Sequence, residues 1–93
     1  MVKLVMSWNI KAEEESAYFE FVVQDFVPSM LRLGVRPTEA WYTVYGEGPQ
    51  IITSGLAADK ESLIQTLNSE EWKQLISKLA AFVTDFKTRI VVN

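Results

Sequence analysis

The chain contains no cysteine and no histidine. The first absence excludes disulfides, thiolate metal sites, iron–sulfur and copper-carrier chemistry and a cysteine nucleophile. The second removes the usual axial ligand of a bound haem iron. Positive charge is also scarce: nine Lys and Arg stand against 12 Asp and Glu, for a net charge of -3. The basic residues are scattered along the chain, so a phosphate-backbone partner, which needs clustered cations, is not expected. The spacing of the carboxylates gives no converging set for a metal ion. No stretch of 18 apolar residues occurs, and Met1 to Met6 lacks the long apolar run and small-residue cleavage site of a signal peptide. The expectation is a cytoplasmic protein with no membrane partner, no cofactor and no metal.

What is present is a 93-residue chain of 48% hydrophobic residues, which suits one domain spanning residues 1–93 with a core of its own. Residues 2–9 are rich in β-formers, with Leu4, Met6 and Trp8 expected on one face of a first strand and Val5 on the other. From about Ala12 the period changes. Glu13, Glu14 and Glu15 place negative charge in a first helical turn, and Phe19, Val22, Val23, Phe26, Met30 and Leu33 follow as an apolar stripe that ends at Gly34. Pro28 removes a backbone donor within that stripe, so a kink or break is expected there.

Arg36-Pro37-Thr38 reads as a connector and Glu39 to Tyr45 as a second strand. Gly46-Glu47-Gly48-Pro49 supplies a hairpin turn, and Gln50 to Ala57 returns as the third strand. Asp59 is placed to cap a helix carrying Leu63, Ile64 and Leu67, and Ser69 to cap a fresh one carrying Trp72, Leu75, Ile76, Leu79 and Val83. Asp85 to Asn93 closes the chain as a fourth strand, with Thr88, Ile90 and Val92 alternating against Lys87, Arg89 and Val91. No linker, repeat or low-complexity stretch interrupts this order.

The order βαββαβ within about ninety residues points to an α+β, ferredoxin-like antiparallel sheet with its helices on one face. Strands that read as apolar on both faces then leave one sheet face needing a cover. An RNA-binding version of the fold would carry stacking aromatics on its third strand, but Ile51 to Leu56 has none. An acylphosphatase-like version needs an anion-cradling loop after the first strand, and Trp8-Asn9-Ile10-Lys11 has no glycine to form one.

Phe26-Val27-Pro28 through Leu33-Gly34, the Trp41-Tyr42 strand and Ser69-Glu70-Glu71-Trp72 together resemble the dimeric α/β-barrel superfamily. The resemblance is to its branch related to antibiotic-biosynthesis monooxygenases and NIPSNAP-like proteins, and it spans the whole chain. It implies a homodimer in which two helix-free sheet faces close into a barrel, which agrees with the two-sided strands. Alternation then puts Leu4, Met6, Tyr42, Val44, Ile90 and Val92 under the helices. It sends Val5, Ser7, Asn9, Trp41, Thr43, Tyr45, Lys87, Arg89 and Val91 toward the barrel.

The barrel set mixes aromatics with a few orienting polar groups, the composition of a pocket for a small apolar or aromatic ligand. Asn9, Trp41, Tyr45 and Arg89 are its candidate ligand-binding residues. The same residue types suit an interface core whose polar groups pair with each other. Two functions follow: a binding or assembly module with a small-molecule pocket, or a monooxygenase-like enzyme needing no cofactor and acting on an aromatic or polyketide-like substrate. Cofactor-free oxygenases of the resembled superfamily position their substrates with Asn, Trp and Arg, types that Asn9, Trp41 and Arg89 supply. A Glu39 or Glu47 base beside Tyr45 is the further catalytic candidate. Trp8 and Trp72 are expected to be packing residues.

Overall fold

The computed structural model of the protein describes residues 1–43 and 46–92. Four strands, β1 (Val2–Ile10), β2 (Arg36–Tyr42), β3 (Ile51–Ala57) and β4 (Val83–Val92), pair in the order β2-β3-β1-β4, every neighbour antiparallel. Helices α1 (Glu15–Phe21) and α2 (Val27–Arg32) flank a π-helical turn, Val22–Phe26, between β1 and β2, while α3 (Lys60–Leu67) and α4 (Glu70–Leu79) connect β3 to β4. This is the ferredoxin-like α+β architecture that the order of the elements implied.

Alternation in β1 decides where the core lies. Val2, Leu4, Met6, Trp8 and Ile10 are buried, and the residues between them are only half-covered. The buried row meets Tyr18, Phe26 and Met30 from the first helical segment, Leu63 from α3, and Trp72, Leu75 and Leu79 from α4. All helices therefore bury their apolar sides against one face of the sheet. The ladder pairs Leu4 with Ile90, Val2 with Val92, and both Trp8 and Tyr42 with Ile51, so those residues share the helix-covered face. Val5 opposite Arg89, and Ser7 opposite both Lys87 and Ile52, lie on the other face, together with Trp41 opposite Ile52. That open face is mixed: Val5, Ile52 and Val91 sit among Lys3, Ser7, Lys87 and Arg89. The expectations for Val44, Tyr45 and Asn93 lie outside the described residues.

The helix ends follow from local chemistry. The Asp59 carboxylate accepts from the Ser62 amide at 2.7 Å, and the Ser69 hydroxyl accepts from the Trp72 amide at 3.2 Å, so both expected caps form. Gly34, at φ +88°, closes α2 in a Schellman motif: the Val35 amide donates to Met30 at 2.9 Å and the Gly34 amide to Leu31 at 3.2 Å.

Several boundaries differ from the sequence reading. Glu13 has a left-handed φ of 69° in the turn before α1, and only Glu15 occupies the first helical turn. β2 begins at Arg36 because an edge strand tolerates Pro37, and a bulge between Pro37 and Glu39 absorbs the extra Thr38. Val83 belongs to β4 and not to the last helix. Ala80 to Phe82 form a tight closing turn, with the Phe82 amide on Leu79 at 2.9 Å, and the apolar Val83 stays buried as the partner of Ile10. Pro28 does not end the helical segment, since the π turn just before it lets the Val27 amide donate to Val22 and carries the chain on into α2.

A second bulge sets Trp8 of β1 against both Asp85 and Phe86 of β4, with Asp85 at φ 57°. Phe86 then stacks on the Trp8 indole, with centroids 5.9 Å apart and planes 15° from parallel.

Candidate functional site

The main apolar cavity, about 400 Å3, opens between the first helical segment and the β2–β3 edge of the sheet. Trp8, Tyr18, Phe26, Met30 and Ile51 form its interior, and Phe19, Trp41 and Tyr42, each about half exposed, stand around it. It exists because β2 is an edge strand with little above it: six of its seven residues are exposed. In the helical segment beside it, Tyr18 and Phe26 pack on Trp8 of β1.

The π turn aims these side chains. At about 100° per residue, Tyr18 and Met30, twelve positions apart, would point about 120° away from each other on an unbroken α-helix. One extra residue accommodated in a π turn removes most of that difference, and Tyr18, Phe26 and Met30 are all buried together while Val23 is rotated out to 71% exposure. The 3.6-residue stripe read from sequence therefore omitted Tyr18 and included Val23. The signal that would have found Tyr18 is the unbroken four-residue step Tyr18, Val22, Phe26, Met30 ahead of and across a proline, a spacing that stays on one face only with a π turn.

Polar groups in the cavity are few. The Trp8 indole donates from Nε1 to Tyr18 Oη at 2.9 Å. Burial pushes the Tyr18 phenol above its ordinary pKa, and the Trp8 hydrogen bond offsets part of that rise. Of the other three hydroxyls in the walls, that of Tyr42 is at the half-exposed rim and two are already engaged: Thr53 donates to the Glu39 carbonyl at 2.9 Å, and Thr38 lies 3.3 Å from the Ser54 carbonyl and 3.0 Å from the Ser54 hydroxyl. The Glu39 carboxylate pairs with Lys3 at 3.4 Å at the surface. The site is thus an uncharged aromatic cleft with one buried phenol.

The four residues singled out in the sequence do not meet in one pocket among the described residues. Trp41 lies beside the cleft. Arg89, with Val5, Ser7, Ile52 and Lys87, lines a separate hollow of about 370 Å3 on the open sheet face. Asn9 acts as a brace between strands: its amide donates to Asp85 at 3.0 Å, and its carbonyl accepts from the Gln50 amide at 2.9 Å. The Gln50 side chain returns the contact by accepting from the Ile10 amide. Tyr45 lies outside the described residues, and Glu39 is committed to Lys3. Trp8 and Trp72 pack in the core as expected, although Trp8 also forms part of the cleft wall.

No helix among the described residues is long and apolar enough to cross a membrane. No protein-family model matches the chain, and no curated protein matches it in sequence. Solved structures do match it in shape. A NIPSNAP family protein from Agrobacterium tumefaciens superposes with a TM-score of 0.75 at 15% identity, over 98% of this chain and 90% of that one. A protein from Arabidopsis thaliana reaches 0.81 at 11% identity, over 100% and 95%. A structure described as an antibiotic biosynthesis monooxygenase reaches 0.67 at 15% identity, over 100% and 98%. At such identities the similarity is one of fold, and it bears out the resemblance drawn from Phe26 to Gly34, Trp41-Tyr42 and Ser69 to Trp72: this chain has the ferredoxin-like fold shared by NIPSNAP-type and antibiotic-biosynthesis-monooxygenase-type proteins.

Proposed function

We propose that the protein is a cytoplasmic homodimer that binds a small apolar or aromatic molecule, with the cleft above β2 and β3 as its binding site. The observation that carries this reading is the cleft itself. Its volume of about 400 Å3 lies within the range of small-molecule sites, and aromatic and aliphatic side chains make up most of its walls. In this reading Tyr42, on the helix-covered face, is a ligand contact at the cleft, while Trp41, opposite Ile52, faces the barrel side. Asn9 and Arg89 belong to the barrel interior that two open faces would enclose, where the hollow beside Arg89 is a second place for a ligand or for interdigitating side chains. The half-covered Val5 and Ile52 give that dimer its apolar centre.

Naphthalene is the probe for the cleft. It should bind one molecule per chain, and Thr53→Phe, which fills the cleft from its sheet wall, should abolish binding without unfolding the protein. Binding that is absent in the wild type, or unaffected in Thr53→Phe, would overturn the site. Light scattering at micromolar concentration tests the dimer: a dimer mass that falls to a monomer in Ile52→Asp supports it, and a monomeric wild type refutes it. A second reading, cofactor-independent oxygenation of an aromatic or polyketide-like substrate, draws on the same cleft and on the phenol at its wall. Oxygen uptake with such a substrate in metal-free buffer, lost in Thr53→Phe, is its test.

A further inference from the structure

The Tyr18 phenol has a property that the cleft alone does not explain. An indole N–H is a donor only, so the 2.9 Å contact from Trp8 makes Tyr18 Oη the acceptor. The phenol proton must then point away from Trp8, and among the described residues no acceptor receives it. Tyr18 is 3% exposed, so bulk water does not serve the group freely. The remaining polar groups of the wall are accounted for: the Thr53 hydroxyl is given to a carbonyl, Thr38 is held by Ser54, and Tyr42 is exposed enough to be hydrated. A buried donor whose proton has a fixed direction and no acceptor favours any ligand that brings one.

We propose that Tyr18 is the specificity-determining residue of the cleft, donating a hydrogen bond to a carbonyl oxygen on a flat, uncharged aromatic ligand, and that Trp8 is the positioning residue that holds the phenol in its donor orientation. The inference rests on the cleft being a ligand site. A neutral carbonyl fits better than a carboxylate because no Lys or Arg lines the cleft and the nearest charge, Glu39, is negative. The edge-to-face contacts of Trp8 with Phe26, at 5.9 Å, and with Tyr18, at 6.4 Å, keep the donor and its support in register with the aromatic wall.

The test compares 2-acetylnaphthalene with 2-ethylnaphthalene, which share a ring system and nearly the same size but differ in the acceptor, by following backbone amide shifts in NMR titrations of the full chain. Wild type should bind the ketone about five- to tenfold more tightly, the range of one net hydrogen bond. Tyr18→Phe should erase the preference, bringing the affinities for the two ligands to within about twofold of each other. Trp8→Phe, which frees the phenol rotor, should reduce the preference without erasing it. Equal affinities in wild type, or a preference that survives Tyr18→Phe, would overturn the inference while leaving the cleft standing. Failure of both probes to bind wild type would overturn the cleft as well. Should Tyr18→Phe not fold, the carbonyl stretch of 2-acetylnaphthalene bound to wild type decides the matter. A shift to lower frequency than in hexane is expected, and an unshifted band refutes the hydrogen bond.

Discussion

Gly55→Ala should destabilise the protein and narrow the cleft at the same time. Gly55 is buried in β3 opposite Leu4 and Pro37. A Cβ at this position would lie 2.7 Å from Val35 Cγ1, 3.2 Å from the Arg36 carbonyl oxygen and 3.3 Å from Met30 Cε. Two of these neighbours cannot yield easily. The Arg36 carbonyl belongs to the backbone of β2, and Val35 is a stiff β-branched residue, 1% exposed, at the Schellman end of α2. Overpacking of this kind costs about 1–3 kcal/mol. Replacing Gly by Ala stiffens the unfolded chain and returns about 0.4–1 kcal/mol.

A net loss of about 1–2 kcal/mol is therefore expected, which for a chain of this size lowers Tm by about 5–15 °C. Met30, displaced toward the cleft it lines, should also weaken naphthalene binding. The decisive measurement is a double-mutant cycle by urea denaturation. Val35→Ala alone should cost about 1–3 kcal/mol through the cavity it leaves. Combined with Gly55→Ala it should cost about 1–2 kcal/mol less than the sum of the two single changes, because the methyl added at one site fills the space vacated at the other. Additivity within about 0.5 kcal/mol, or a neutral Gly55→Ala, would refute the reasoning.

Two further outcomes concern the ends of the site's scaffold. The cap on α3 should be pH-dependent: hydrogen bonds from Ser62 hold the Asp59 pKa below its ordinary 3.8, so its stabilisation is present above that value and lost as pH falls through the lower, folded-state pKa. Urea denaturation from pH 6 to pH 2.5 should show wild type losing stability relative to Asp59→Asn over the acidic end, and parallel curves would refute the assignment. At the β4 bulge, Asp85→Asn should be nearly neutral, since Asn also tolerates a φ of 57° and can still accept from Asn9. Asp85→Val should cost about 2 kcal/mol from backbone strain, measured by thermal denaturation, and a neutral Val would show that the strain is relieved by local rearrangement.

Much of the fold could be read locally. Alternation in Val2 to Ile10, the caps at Asp59 and Ser69 and the αL glycine at Gly34 each act within a few residues, so sequence alone determined the faces of β1, the starts of α3 and α4 and the end of α2. The missing cysteines and histidines likewise settled which chemistries the chain cannot carry. The cleft was not legible in the same way, because three non-local choices create it. The π turn before Pro28 rotates Tyr18 inward and Val23 outward, and no 3.6-residue pattern records it. The bulge at Thr38 lets the edge strand start at Arg36, which shifts β2 against the helices. The hydrogen bond from Trp8 to Tyr18 joins a strand to a helix, and it makes the expected packing residue Trp8 the support of a phenol that the stripe omitted. Sequence supplied the aromatic content of this protein and the sheet that displays it. Tertiary structure decided which aromatics meet, because small register shifts in a helix and at a sheet edge set the direction in which each side chain points.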